Sequence, residues 1–389
     1  MSDGLIGGSA GVLFVLAGNA ALWFYLEKRT NWRLFSFIPP LIFIYVCPAF
    51  FSNLGLIPGH SGVYDWMGDI LLPMFLVLLL LDVDVRATVR VMGRGVFVML
   101  IGTVGVIIGA PIGYLAVKNA LGPDAWKGFG ALAGSWIGGT GNMAAVAEGL
   151  GTSGTDFGLA VIADNVVYLV WLPLLLQSRN LAGWFHRFTG ASEERLLQMK
   201  KAAQEMVITK EPPVMRHLLY LAALGFGATW LAGLLADLLP VVPPVLTTGT
   251  YRILLVTTLG LALSFTPAKR IPGSHELAMA LVYLFVARMG AKAVVSDLAG
   301  QAVPFVAGCY LWIFIHGLFI LGAARLFKID VHTAAIASAA NIGGAASAPV
   351  VAAFHDERLV PVSILMALIG YAVGNYGAFL AAWLCHLVA

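Results

Sequence analysis

Of the 389 residues, 60% are hydrophobic and 11% charged, and the mean hydropathy is +0.89. An ordinary soluble domain cannot hide that much apolar surface from water, so an integral membrane protein is expected. The net charge of +3 is small and its lysines and arginines sit between apolar runs, which leaves no case for a nucleic-acid partner.

No basic region precedes the run from Leu5 to Tyr25, so that run is read as an uncleaved first span. Windows of about twenty residues then mark spans near 5–26, 34–52, 67–82, 95–117, 128–149 and 157–178. Within this set, Asp82 and Asp84 are followed by Arg86, Arg90 and Arg94 at spacings of four, read as one interfacial helical face. A polar segment from Arg179 to Arg216 follows. Its stretch "SEERLLQMKKAAQEM" interrupts Leu196, Leu197, Met199 and Met206 with charges, as an amphipathic surface helix does. A second set of spans lies near 217–239, 250–265, 275–289, 303–324, 333–353 and 360–387. The chain therefore divides into a first repeat, 1–178, a linker, 179–216, and a second repeat, 217–389. Cys47, Cys309 and Cys385 are scattered singly through apolar segments, so neither redox chemistry nor zinc is indicated.

Two segments break the apolar pattern. "GSWIGGTGNMAAVAEG", Gly134 to Gly149, holds five glycines, an asparagine and a glutamate, and "ASAANIGGAASAPVVAAF", Ala337 to Phe354, matches it in the second half. Ile137-Gly138-Gly139 pairs with Ile342-Gly343-Gly344 at an offset of 205, and the same offset pairs Met74 with Met279 and Gly95 with Gly300. A duplicated half with an interrupted helix at corresponding places points to the binding site of a secondary transporter. Each glycine weakens a helix by about 1 kcal/mol relative to alanine, and a break at membrane depth is tolerated only where protein or a polar cavity surrounds it. Six spans per half would make the halves parallel, whereas inversion needs an odd number, and Thr250 to Phe265 is the least convincing span. Loop charges conflict as well: Arg86, Arg90 and Arg94 favour one side, and the linker with Lys200 and Lys201 favours the other.

The broken segments nominate ligands. Gly138, Gly139, Thr140, Gly343, Gly344 and Ser347 would frame a substrate, while Ser135, Asn142, Ser338 and Asn341 supply neutral oxygens suited to a hard cation. The competing reading is close helix packing through Gly134/Gly138 and Ala335/Ala339, with serine and asparagine bonding across the contact. In "FGLAVIADNVVYLVWLPLLL", Asp164-Asn165 lies inside an apolar span, and a carboxylate there is a functional-site hypothesis by default. A structural ion pair between Asp164 and Arg288 is the alternative, and Glu148 is a further charge partner or an interfacial residue. The matching helix carries Tyr371 and Asn375 and no acid, so both join the substrate set. His316 is read as a proton relay or a packing residue; His60, His275 and His332 are read as loop residues.

"SWIGGTGNMAAVAEG", "ADNVVY" and "SAANIGGAASAPVVAAF" together resemble the family catalogued as domain of unknown function 819, multi-spanning proteins grouped with the cation/proton antiporters and the bile-acid:sodium symporters. The resemblance covers essentially the whole chain. It implies an all-α membrane fold of two inverted repeats, each with a discontinuous helix crossing near the bilayer midplane, and a core moving as an elevator against a panel or dimerisation domain. A homodimer in a bacterial inner membrane follows from it. Antiporters of this grouping carry Asp-Asp or Asn-Asp, whereas this chain has Asp164-Asn165, and some use a lysine that Val303 to Ala324 lacks.

Sodium-coupled symport of a small organic, anionic solute is therefore the first expectation, with sodium or a proton as coupling ion and no organic cofactor or transition metal. Cation/proton antiport is the second. A non-transporting receptor or a membrane enzyme is the third, although no nucleophile–base or metal constellation stands out.

Overall fold

The computed structural model describes residues 4–30, 32–36, 38–191, 193–204 and 211–389. Among them the regular structure is helical, apart from one isolated antiparallel bridge between Val242 and Leu246. Helices are what so apolar a chain can form, because each N–H is answered within its own segment. The first half contains α1 (Ser9–Thr30), α2 (Pro40–Asn53), α3 (Gly62–Trp66), α4 (Leu72–Leu80), α5 (Val85–Met92), α6 (Gly95–Val117), α7 (Ala125–Gly149) and α8 (Gly154–Gln177). A π-turn over Met67–Leu71 joins α3 to α4 just before Pro73, whose missing N–H already interrupts the ladder. The linker holds α9 (Ala182–Thr189) and α10 (Glu193–Gln204); Met206 of the expected amphipathic helix lies outside the described residues. The second half contains α11 (Met215–Ala236), α12 (Thr248–Ser264), α13 (Ser274–Ala291), α14 (Val295–Phe327), α15 (Val331–Ile342), α16 (Gly344–His355) and α17 (Val360–Leu387).

Polar side chains fix the helix starts. Ser153 accepts from the Asp156 amide at 2.9 Å, Asp84 from that of Ala87 at 3.0 Å and Asp330 from that of Thr333 at 2.9 Å. His275 and His332, read as loop residues, lie instead in the first turns of α13 and α15. Among the described residues, seven helical stretches are long and apolar enough to cross a bilayer: Ser9–Thr30, Gly62–Leu80, Gly95–Ala120, Gly154–Thr189, Met215–Ala236, Gly300–Phe327 and Glu357–Leu387. Phe14, Leu115, Leu169, Trp230 and Phe314 are exposed on them, a surface suited to hydrocarbon.

Contacts between distant segments define the two ends of the bundle. At one end Lys269 pairs with Asp84 at 2.9 Å, Ser274 donates to Asp82 at 3.1 Å and Arg179 donates to the Phe354 carbonyl at 2.8 Å. At the other, Asn53 donates to the Ala293 carbonyl at 2.7 Å, Thr250 to that of Gly149 at 3.2 Å and Lys118 to that of Val388 at 2.6 Å. The sequence reading set the α5 arginines and the basic linker on opposite sides. The structure corrects it: Arg90 and Arg94 line one cavity together with Leu196 and Met199 of α10, so both lie at the first end.

The expected crossing of the broken helices is corrected as well. In α7 the backbone leaves helical geometry at Gly139 and the chain folds back. A methyl group on Gly134 would sit 2.9 Å from the Asn142 carbonyl oxygen, and one on Gly130 would sit 2.9 Å from Leu150 Cδ1, contacts that only antiparallel arms allow. α15 and α16 do the same, since His332 Nδ1 lies 3.0 Å from His355 Nδ1. Both segments are re-entrant hairpins that begin and end at one face. The reversal was hidden because glycines announce a break in the ladder and not its direction.

Around the hairpins, α6, α8, α14 and α17 form one group of packed helices. A second group, α1, α2, α4, α11, α12 and α13, packs chiefly on itself and meets the first where α4, α12 and α13 touch α7, α12 touches α17 and α13 touches α8. Close approach is built into α6: a methyl group on Gly105 would lie 2.7 Å from Phe319 Cβ, and one on Gly113 would lie 2.6 Å from the Gly308 carbonyl oxygen of α14.

The hairpin reading predicts cross-linking. In a chain whose native cysteines are replaced by alanine, His332→Cys with His355→Cys should form a disulfide under mild oxidation, detectable as a gel-mobility shift. A helix running straight on would hold those positions about 35 Å apart, at 1.5 Å per residue, and give none.

Candidate functional site

The two hairpin tips meet. Gly139 has φ 78° and ψ −177°, a region open only to glycine, and Gly344 has φ 58°. A methyl group on Gly344 would stand 3.6 Å from Gly139 Cα. Each tip also faces a tyrosine from a spanning helix: Tyr371 of α17 comes within 3.2 Å of the space beside Gly139. The Tyr168 hydroxyl of α8 and the Ser347 hydroxyl border the space beside Gly343, at 2.9 and 2.8 Å. Gly139, Thr140, Gly343 and Ser347 are half-buried, whereas their neighbours Ile137, Gly138 and Ile342 are buried, so the accessible part of the break is the meeting point itself.

Asp164 is held beside the first hairpin. Its Oδ2 accepts from Ser135 Oγ at 2.8 Å and its Oδ1 from Trp136 Nε1 at 2.9 Å. No cation pairs with it among the described residues. The alternative of an Asp164–Arg288 ion pair is overturned, because Arg288 is taken by Glu148 in a bidentate pair at 2.6 and 3.0 Å and lies 4.7 Å over the Phe285 ring. Arg288 is 1% exposed and Glu148 29%, so this pair joins the end of the first hairpin to α13 at the protein interior.

The remaining nominated polar residues are engaged elsewhere. Asn142 donates to the Tyr371 carbonyl at 3.2 Å and ties the first hairpin to α17. Asn165 donates back to Val161 of its own helix at 2.8 Å. Ser338 accepts from Trp171 Nε1 at 3.0 Å and lies 3.0 Å from His316 Nε2, while His316 Nδ1 faces the Gly102 carbonyl at 3.0 Å. A carbonyl only accepts, so Nδ1 carries the proton in neutral His316 and Ser338 donates to Nε2. Asn341 donates to Thr103 Oγ1 and Asn375 to Thr257 Oγ1, both at 2.8 Å, and the two side-chain carbonyls stay buried without partners. Structure thus gathers Ser135, Asp164, Gly139, Thr140, Gly343, Gly344, Ser347 and Tyr371 around the tips. Ser338, Asn341 and Asn375 are built into helix–helix contacts. Trp136, Tyr168 and Trp171 escaped sequence reading, although a buried indole N–H or phenol needs a partner and was a usable signal.

The model of the family described as protein of unknown function (DUF819) matches residues 14–387, and the chain belongs to that family. The uncharacterized membrane protein YjcL of Bacillus subtilis (strain 168) is 29% identical over 391 residues, covering 95% of this chain and 96% of the relative. With the apolar helices, these matches identify a multi-pass integral membrane protein.

Two sets of substitutions probe the site's framework through thermal unfolding in detergent. Gly139→Ala should cost about 1–3 kcal/mol, the usual penalty for a glycine-only conformation, whereas Gly227→Ala, which would meet no atom within 4 Å, should cost nothing. Glu148→Gln should cost about 3 kcal/mol by stranding a buried guanidinium, and adding Arg288→Met should restore most of it.

Proposed function

We propose that this member of the family is a secondary active transporter in which sodium drives uptake of a small anionic organic solute through the point where the two hairpins meet. The observation that carries the reading is the contact of two left-handed glycines, Gly139 and Gly344, that occupy equivalent positions 205 residues apart. Paired, interrupted segments at corresponding places in two halves are where transporters of the inverted-repeat type bind their substrates.

Returning hairpins favour inversion. If α2, α12 and α13 cross along with the seven longer apolar stretches, each half has five crossings besides its hairpin: α1, α2, α3 with α4, α6 and α8 in the first, and α11, α12, α13, α14 and α17 in the second. An odd number turns the second half over. The opening of the first hairpin beside Thr250 and of the second beside Leu175, at opposite ends of the bundle, supports the same arrangement. Charge supports an orientation: among the described lysines and arginines only Lys118, Lys127, Arg252, Arg288 and Lys292 belong to the end that holds Asn53 and Val388, so the other end is cytoplasmic. The membrane is then a bacterial inner membrane.

The chemistry at the tips fits a cation and an anion together. Asp164 and Ser135 offer oxygen ligands to a hard cation, which would compensate a carboxylate that has no partner charge. The second arms of both hairpins, from Thr140 and from Gly344, start at the meeting point and turn their N-terminal dipoles toward a bound carboxylate. Thr140, Ser347, Tyr168 and Tyr371 would then orient the solute. The hairpin group moves as an elevator against the α1, α2, α4 and α11–α13 group, which serves as panel and dimer contact. Cation/proton antiport would use the same Asp164, and its lack of a cation partner is the observation that keeps that reading second.

A sodium titration of thermal stability in detergent tests the proposal. At about a hundred times Kd, sodium should add roughly 2.7 kcal/mol over equal potassium or choline. Asp164→Asn should remove this gain and sodium-dependent uptake while leaving a folded, inserted protein. Equal melting in all three salts, or an unchanged sodium response in the variant, rejects the symport site. A response that follows pH in place of sodium selects antiport.

A further inference from the structure

At the end of the bundle shared by α5 and the linker, a cavity of about 440 Å³ is lined by Arg90, Arg94 and Lys328, with Met199 of α10 as one wall and Asp330 and Thr333 at its base. The three cations come from two separate places in the chain, Arg90 from the last turn of α5 with Arg94 just after it, and Lys328 from the end of α14. None of them has a hydrogen bond or ion pair with the described residues. Asp330 makes no ion pair with them, its oxygens accepting from the Thr333 amide at 2.9 Å and hydroxyl at 2.7 Å, and its single negative charge leaves the cavity net cationic. Lys328 adopts φ 53°, uncommon for a residue with a side chain, and ends α14 directly beneath the cavity.

The surroundings locate the cavity where hydrocarbon gives way to water. Phe97 is 52% exposed and Leu326 is 71% exposed on the helices that flank it, and Phe97 stacks on Phe327 with ring centroids 5.6 Å apart. A concave group of three cations against one carboxylate, beside a lipid-facing rim, selects a ligand with a polar anionic head. Guanidinium forks suit the oxygens of a phosphate, and a basic pocket at the cytoplasmic boundary is the physical setting in which phospholipid headgroups are bound.

We infer that this cavity binds the phosphate of an anionic membrane lipid, clamping the linker helix α10 over the base of the second hairpin. A soluble phosphate compound shares the recognising chemistry, and the surrounding apolar rim favours the lipid.

The full-length protein in detergent is titrated with dioleoyl phosphatidylglycerol, dioleoyl phosphatidylcholine or inorganic phosphate, with melting temperature as the readout. Phosphatidylglycerol should raise the wild-type melting temperature and phosphatidylcholine should not. Arg94→Gln should weaken the apparent affinity about fivefold, and Arg90→Gln, Arg94→Gln and Lys328→Gln together about a hundredfold, as expected for cations near a lipid surface. The three side chains are exposed, so the variants should fold, and Arg270→Gln at the same end should bind as the wild type does. A shift given by inorganic phosphate alone, and lost in the triple variant, keeps the site and assigns it a soluble ligand. Equal effects of both lipids with no effect of phosphate, retention of the shift in the triple variant, or an equal loss in Arg270→Gln overturns the inference.

Discussion

A chain that reverses direction inside a bilayer leaves carbonyls at the end of one arm and amides at the start of the next without helical partners, and hydrocarbon offers them nothing. The whole arrangement follows from the need to enclose two such reversals. Each tip is covered partly by the other and partly by a spanning helix, and α17 does most of this for the first hairpin. Gly370 lets α17 lie against the Ile137 carbonyl, and Gly374 lets it lie against the Asn142 side chain, which donates to the Tyr371 carbonyl. Any larger residue at those glycines would hold the helix away and open the tip to lipid.

The same enclosure decides which polar groups remain available. Side chains that fasten one helix to another are fixed by those bonds, although the Asn341 and Asn375 side-chain carbonyls keep an unused acceptor. Ser338 bridges Trp171 and His316, and Asn341 reaches Thr103. Groups near the reversals keep unused capacity, with Asp164 bonded to two neutral donors and no cation. Polar character alone therefore does not identify a ligand; what matters is whether the neighbouring helix already occupies the group.

This explains what could and could not be read in the sequence. Of the twelve expected spans, those at 5–26, 67–82, 95–117, 157–178, 217–239, 303–324 and 360–387 were legible because apolar length is local. Those at 128–149 and 333–353 are the hairpins, whose matched Ile137-Gly138-Gly139 and Ile342-Gly343-Gly344 motifs were legible because a run of glycines has few other uses in such a chain. Reversal was not, since it is fixed by which small residues face each other after the break. The spacing of Gly134 and Gly138, which also suits packing between helices, turns out to pack the two arms of one hairpin. The doubt about Thr250 to Phe265 as a span stands in part: α12 is a regular helix but is not among the stretches long and apolar enough to cross. Glu148 and Arg288 were both noticed, yet 140 positions separate them and nothing local announces that they pair. Trp136 was overlooked because an indole in an apolar run reads as bulk, although its N–H is what fixes one oxygen of Asp164.

The glycine face of α6 has a mechanical consequence. Trp312 of α14 fits a notch at Gly109 and anchors its ring nitrogen to the Val106 carbonyl at 2.7 Å, while the same ring lies 4.4 Å from that of Trp136 in the first hairpin. A few turns away, Gly102 of α6 abuts the Asn341 side chain of the second hairpin. The two helices are dovetailed, and a slip of one helical turn, about 5.4 Å, would drive the Trp312 indole into the α6 backbone. They act as one strut whose middle turns seat both hairpins close to the point where their tips meet. The side of α7 that faces α4, α12 and α13 is notched as well, at Gly141 against Leu79 and at Gly149 against Ile253, so the first hairpin is seated on both flanks.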